Sequence, residues 1–201
     1  MLNRLAYDDA LHEYRFDGQL VPNVTKILSR LTAEEYRGVD RETMERAALL
    51  GKAVHKVIEL DLRDTLDTDS LSEGLLPYYG AWLNFLNTSG FKALLSEQRV
   101  YSERYGYAGT LDLFGRLNNR LAVIDAKRTA AVPRTAGPQT AAYEAALRES
   151  RPDLTGALPI DRFALHLRAD GTWRLVPFAE RSDLRVFLAQ ITTLQWLRQA
   201  A

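Results

Sequence analysis

The chain contains no cysteine, which excludes disulfides, thiolate zinc sites and iron–sulfur clusters and fits a reducing compartment. No run approaches the ~18 consecutive apolar residues that a membrane helix needs. The opening stretch, Met1 to Tyr14, is charged from the start and has no apolar core, so no secretory leader is expected. Net charge is absent as well, because 26 basic residues balance 26 acidic ones. A protein that lived by non-specific grip on phosphate would carry an excess of base. Any nucleic-acid contact must therefore come from a local groove. Gly51-Lys52 lacks the preceding glycine of a phosphate-binding P-loop, which excludes a built-in ATPase or helicase. Lysine is scarce: positions 26, 52, 56, 92 and 127 are the only five, against 21 arginines.

What remains is an ordinary globular composition, 201 residues with 46% hydrophobic and 26% charged side chains. Residues 1–201 are expected to form one domain around one core, with no repeat or linker. Residues 11–21 alternate around Asp17-Gly18, a two-residue hairpin signal. Pro22 ends that hairpin, and a short helix is expected from Val24 to Leu31. Asp40 is placed as the N-cap of a long helix to about Leu66, with Glu42 in its first turn. Ala47, Leu50, Val54, Val57 and Ile58 give that helix a core-facing stripe. A second helix runs from about Leu75 to Thr88 and stops at Gly90. The period then changes, and 92–103, 106–117 and 120–128 read as strands, the last two joined through Asn118-Asn119. Beyond them come a helix over 138–150, a hairpin of 161–168 with 172–179, and a terminal helix capped by Ser182.

The chemistry-bearing residues sit mostly on the middle strands. Asp125 and Lys127, two apart in an apolar strand, project from one face. A buried unpaired carboxylate costs several kcal/mol, so Asp125 needs a partner or a metal. By itself the triplet reads equally well as a structural ion pair, because an acid two places before a lysine is expected about once by chance. Retention of lysine in so arginine-rich a chain tilts the reading slightly toward a tunable ammonium. The turn at Asn118-Asn119 brings Asp112, within Gly109-Thr110-Leu111-Asp112, opposite Asp125. Two adjacent carboxylates repel unless one is protonated or a cation lies between them, and magnesium suits such a pair. On the long helix His55 and Glu59 share a face, as do Gln139 and Tyr143 on the later helix. Each of those pairs is unremarkable alone.

Taken in order, the pieces resemble the RecB-type branch of the PD-(D/E)XK nuclease superfamily, especially its phage-type exonucleases. The matching segments are Gly51 to His55 on a helix, Gly109 to Asp112 on a strand, Asp125 to Lys127 on the next strand, and Gln139 to Tyr143 on a helix. His12 to Gly18 and Val21 to Leu28 also resemble the N-terminal region of phage members, so the likeness spans about residues 12–168. It implies an α+β fold, an α/β sandwich with a restriction-endonuclease-like αβββαβ core. Its mixed central sheet would be flanked by helices and extended by an N-terminal hairpin and a C-terminal helix. It also implies that Asp112 and Asp125 hold Mg²⁺ or Mn²⁺, with the Ala126 carbonyl and His55 as further ligands. Lys127 would position or activate the attacking water. Gln139 and Tyr143 would contact nucleic acid or brace the site, and Glu59 and Glu97 would be additional acidic groups.

The implied activity is hydrolysis of DNA phosphodiester bonds, as an exonuclease of phage or prophage recombination or repair. A structure-specific or non-specific endonuclease and a catalytically silent nucleic-acid-binding module are the alternatives. The implied setting is the cytoplasm of a bacterium or a phage-infected host cell. DNA and a recombination partner such as a single-strand annealing protein would be the partners, self-association would be compatible, and no membrane is involved. The cysteines of the iron–sulfur relatives are missing.

Overall fold

A computed structural model describes residues 4–199; positions 1–3 and 200–201 of the expected single domain lie outside the described residues. The elements in order are β1 (Leu5–Asp8), β2 (Glu13–Phe16), β3 (Gln19–Val21), α1 (Val24–Glu35), α2 (Arg41–Leu62) and α3 (Leu76–Ser89). Then come β4 (Phe91–Ser102), β5 (Tyr107–Leu117), β6 (Arg120–Lys127), α4 (Ala136–Ser150), α5 (Pro152–Thr155), β7 (Ile160–Leu167), β8 (Trp173–Pro177) and α6 (Asp183–Gln199). A short 3₁₀ turn occupies Thr68–Ser70.

The main sheet has strand order β4-β5-β6-β7-β8. Only the β6–β7 pair is parallel, and α4 makes the crossover that a parallel connection requires. The architecture is therefore α+β with a mixed sheet, as expected. On one face α2 and α3 bring Val54, Ile58, Trp82 and Phe85 against Leu113, Ile124 and Leu165. On the other, α1, α4 and α6 bring Ile27, Leu147 and Phe187 against Phe114 and Val123. Alternation along β6 sorts its side chains between these layers: Leu121 and Val123 face α4, whereas Ala122, Ile124 and Ala126 face α2 and α3. By the same parity Asp125 and Lys127 point to the α4 side.

Local signals account for most boundaries. Asp40 accepts the Thr43 N–H at 2.8 Å and starts α2. Gly90 closes α3 in the left-handed region. Tyr79 Oη and the Trp82 indole donate to Asp61 at 2.9 and 2.7 Å, clamping α3 to α2. Several details differ from expectation. Helix α1 continues past Leu31 to Glu35, because no glycine or proline stands before Gly38. Helix α2 ends at Leu62, not Leu66, as Asp64 turns left-handed. The front hairpin gains β1 and becomes a three-stranded sheet, with Leu5 opposite Phe16. Its docking is long-range: Pro22 O accepts from Ala108 N at 3.0 Å, and Tyr14 Oη bonds Thr110 Oγ1 at 2.7 Å. The first turn of α6 is closed by the Ser182 carbonyl, which accepts from Val186 N at 2.9 Å. No described helix is long and apolar enough to cross a membrane.

Candidate active site

The site lies where two strands part. The β5–β6 ladder ends at Leu113 opposite Ile124, so Asp112 and Asp125 are the next residues along, facing each other at the mouth. There the Asp112 carboxylate replaces a ladder carbonyl, its Oδ2 accepting from Ala126 N at 2.7 Å. Asp125 is almost wholly buried, 1% exposed. Its Oδ2 lies 2.6 Å from Lys127 Nζ without hydrogen-bond alignment, and its Oδ1 has no partner at all among the described residues. Lys127 Nζ donates to Gln139 Oε1 at 3.1 Å, and Gln139 Nε2 donates to Tyr143 Oη at 3.3 Å. A relay of side chains thus runs from Asp125 on β6 to the first two turns of α4.

The α2 side supplies His55. Its Nε2 donates to the Ala126 carbonyl at 3.0 Å, which leaves Nδ1 3.5 Å from both Glu97 Oε1 and Asp112 Oδ1. His55, Glu97 and Asp112 offer ligand atoms that all lie within 4.8 Å of one another. Glu97 stands between the pairs Ser96–Leu113 and Gln98–Leu111, hence across from Asp112. Its φ of 46° is a left-handed conformation a glutamate adopts only under constraint. Backbone strain spent on aiming a carboxylate at a second carboxylate makes sense if a cation joins them.

Electrostatics agree with that reading. Burial raises the Asp125 carboxyl to about 6; Lys127 opposes this and Asp112 adds to it. Burial raises Asp112 too, with His55 pulling it down and Glu97 pushing it up. Burial alone would lower His55, but the Asp112 and Glu97 carboxylates overcome it and carry the imidazole to about 9. Lys127 is likewise held above its ordinary value, as Asp125 and Asp112 outweigh its burial. The Tyr143 phenol is pushed well up by burial. A cation among these carboxylates would compete with the protons they favour, and the unpartnered Asp125 Oδ1 is an atom it would satisfy. An imidazole nitrogen with carboxylate oxygens forms a mixed nitrogen–oxygen donor set that could hold a divalent metal ion.

Of the ligands the resemblance implies, Asp112 and His55 stand together, and Glu97, placed second by sequence, joins them. Asp125 lies beside Lys127 and next to Asp112, and the Ala126 carbonyl accepts from His55 Nε2. Glu59 shares the α2 face but is occupied by Lys56 at 2.9 Å and Arg63 at 2.7 Å.

Sequence reasoning missed the scaffold behind the relay. Glu35 at the end of α1 accepts from Arg134 N, Thr135 N and Thr135 Oγ1, fixing the turn into α4. Buried Arg162 donates to Gly137 O at 2.9 Å and pairs with Asp183 at 3.0 Å. His166 Nε2 donates to Thr129 O at 2.7 Å, holding the chain just after Lys127. Only a basic or imidazole side chain in an otherwise apolar strand, as at Arg162 and His166, could have signalled these roles.

Gly109 has a packing reason. A Cβ there would lie 2.7 Å from Tyr143 Cε1 and 3.0 Å from Val24 Cγ2. Gly109→Ala is expected to displace the Tyr143 ring and to destabilise the fold by about 1–3 kcal/mol, an overpacking cost. Denaturant melts check the stability, and Tyr143→Leu in the same background should recover much of the loss.

No family model matches the chain, and no curated protein does either. Among solved structures, it is similar to the crystal structure of a "Putative exonuclease" from Eubacterium rectale, at 11% identity and a TM-score of 0.44. That match covers 72% of this chain, which spans 63% of the length of the other.

Proposed function

We propose that this protein is a divalent-metal-dependent nuclease that hydrolyses phosphodiester bonds in DNA. One observation carries the proposal: a buried carboxylate with an orphaned oxygen, Asp125, is gripped by Lys127 beside the His55–Glu97–Asp112 ligand group. Lysine–carboxylate pairs in cores are satisfied; this one is left short of a partner and sits against a further carboxylate, Asp112, a costly arrangement without a ligand.

Asp112 and Glu97, with Asp125 beside them, would hold Mg²⁺ or Mn²⁺. His55 Nδ1 would serve as a further ligand once deprotonated, and its Nε2 bond to Ala126 O sets the ring's orientation. Such an ion, when bound, neutralises phosphate charge and acidifies bound water. Lys127 places an ammonium, held between Asp125 and Gln139, where it can orient a water and stabilise charge on a phosphate. Gln139 and Tyr143 keep that ammonium from swinging out.

The motif order and the resemblance favour an exonuclease of recombination or repair type, acting in a bacterial or phage-infected cytoplasm. End-labelled linear DNA compared with covalently closed circular DNA, each with Mg²⁺, tests this. Linear DNA should be shortened from an end and the circle spared; equal degradation of the circle would leave an endonuclease, and no activity on either would leave a binding module.

Gly51 gives a second handle. It is interior to α2, its conformation needs no glycine, and a Cβ there would meet nothing within 4 Å. Gly51 lies one helical turn before His55, on the same face of α2. Gly51→Ala is expected to stabilise the fold by about 0.5–1 kcal/mol, whereas Gly51→Leu should reduce cleavage by roughly tenfold or more through obstruction. Equal cleavage by wild type and Gly51→Leu would remove substrate from this face of the helix.

A further inference from the structure

A cleft of about 530 Å³ opens between the N-terminal sheet, α1 and α2, and Gly109, Thr110 and Tyr143 form the wall it shares with the candidate active site. Two of the five lysines, Lys26 and Lys52, line it together with His12. The other lysines near the site have carboxylate partners, Lys56 with Glu59 and Lys127 with Asp125. Lys26 and Lys52 have none among the described residues. Lys52 Nζ instead lies 3.2 Å from His12 Nε2. An ammonium only donates, so Nε2 is the acceptor and Nδ1–H points to Tyr7 Oη at 2.8 Å.

His12 is held in place from several sides. Its backbone is left-handed, φ 51°, and its carbonyl accepts from Asn23 Nδ2 at 3.3 Å. The contact with Lys52 joins the turn between β1 and β2 to α2 across the cleft. A neutral protein has thus left two lysines without counter-charges on a wall next to its carboxylate cluster. Placing unpaired cations beside a cation site suits a ligand that carries a series of negative charges.

On the nuclease reading, we propose that this cleft holds the backbone of a single nucleic-acid strand, with phosphates flanking the reacting one contacted by Lys26 and Lys52, the latter positioned by His12. One strand, not a duplex, is the occupant, because a cleft of about 530 Å³ has the volume of a small-ligand site.

The test is binding without hydrolysis: fluorescence anisotropy of a labelled oligothymidylate in Ca²⁺, titrated at several salt concentrations. For a single strand each lost phosphate contact lowers the slope of log affinity against log salt by about 0.7. The double variant Lys26→Gln/Lys52→Gln should therefore lower it by about 1.4, with an unchanged melting temperature. Lys92→Gln, which removes a charge on β4 away from the cleft, should leave it unchanged. An unmoved slope in the double variant would overturn the proposal, as would an equal loss per charge in Lys92→Gln or tighter binding of a duplex of the same length. Cleavage with an unmoved slope removes only this strand site; the expected slope change without cleavage removes only the nuclease reading.

Discussion

Asp125→Asn is expected to cut metal-dependent cleavage by at least roughly a hundredfold to a thousandfold, the range seen when one pre-set polar group is lost from a catalytic centre. Lys127→Met should do the same. The two should differ in stability. Removing the Asp125 charge leaves Lys127 bonded to Gln139, partly exposed and still near Asp112, so the melting temperature should stay within a few degrees of wild type. Removing the Lys127 charge leaves a 1% exposed carboxylate beside a second one. Breaking a buried pair in that sense costs on the order of 3–5 kcal/mol, offset here by proton uptake at Asp125. Cleavage of end-labelled DNA and denaturant melts on both variants give the answer. Wild-type cleavage in either variant removes that residue from the mechanism, and equal stability of the two would show that Lys127 does not balance the buried charge.

The metal-free protein should lose stability as pH rises from about 4 to 9, and divalent metal should reverse much of the loss. The folded value of Asp125, about 6, lies above its ordinary 3.8. The folded state therefore keeps a proton the unfolded chain has released, and stability declines between those values. The folded value of His55, about 9, lies above 6.5, so its contribution is complete below 6.5 and gone once pH passes 9. Asp112 and Lys127 are shifted in the same direction. A cation competes with those protons, so the rise in melting temperature on adding Mg²⁺ or Mn²⁺ should be larger at pH 8.5 than at pH 5.5. Melts in EDTA and in metal at both pH values measure this. A metal-free stability that does not fall with pH, or a metal increment larger at the acid end, would contradict the site as described.

Much of the fold was legible because its signals are local. Asp17-Gly18, Asp40 and Gly90 are punctuation whose effect does not wait for the rest of the chain. The Asn118-Asn119 turn fixed the β5–β6 register and so brought Asp112 opposite Asp125. Strand β1 was not legible, because four residues, Leu5 to Asp8, become a strand only by pairing with β2. The overrun of α1 and the early stop of α2 are local boundary effects, set by the lack of a breaker before Gly38 and by the left-handed turn at Asp64.

For the site, the sequence by itself determined which side chains share a face: Asp125 with Lys127, and Gln139 with Tyr143. Both follow from the periods of strand and helix. Tertiary structure alone decided how those faces meet. It put Lys127 within reach of Gln139, turned His55 Nε2 onto Ala126 O, and aimed Glu97 at Asp112 through a left-handed backbone. Periodicity assigns a direction to a side chain, but a distance between two elements is set by the core packed between them. That is why the sequence named the acids and the lysine, while only the packed fold showed which of them stand together and which oxygen is left without a partner.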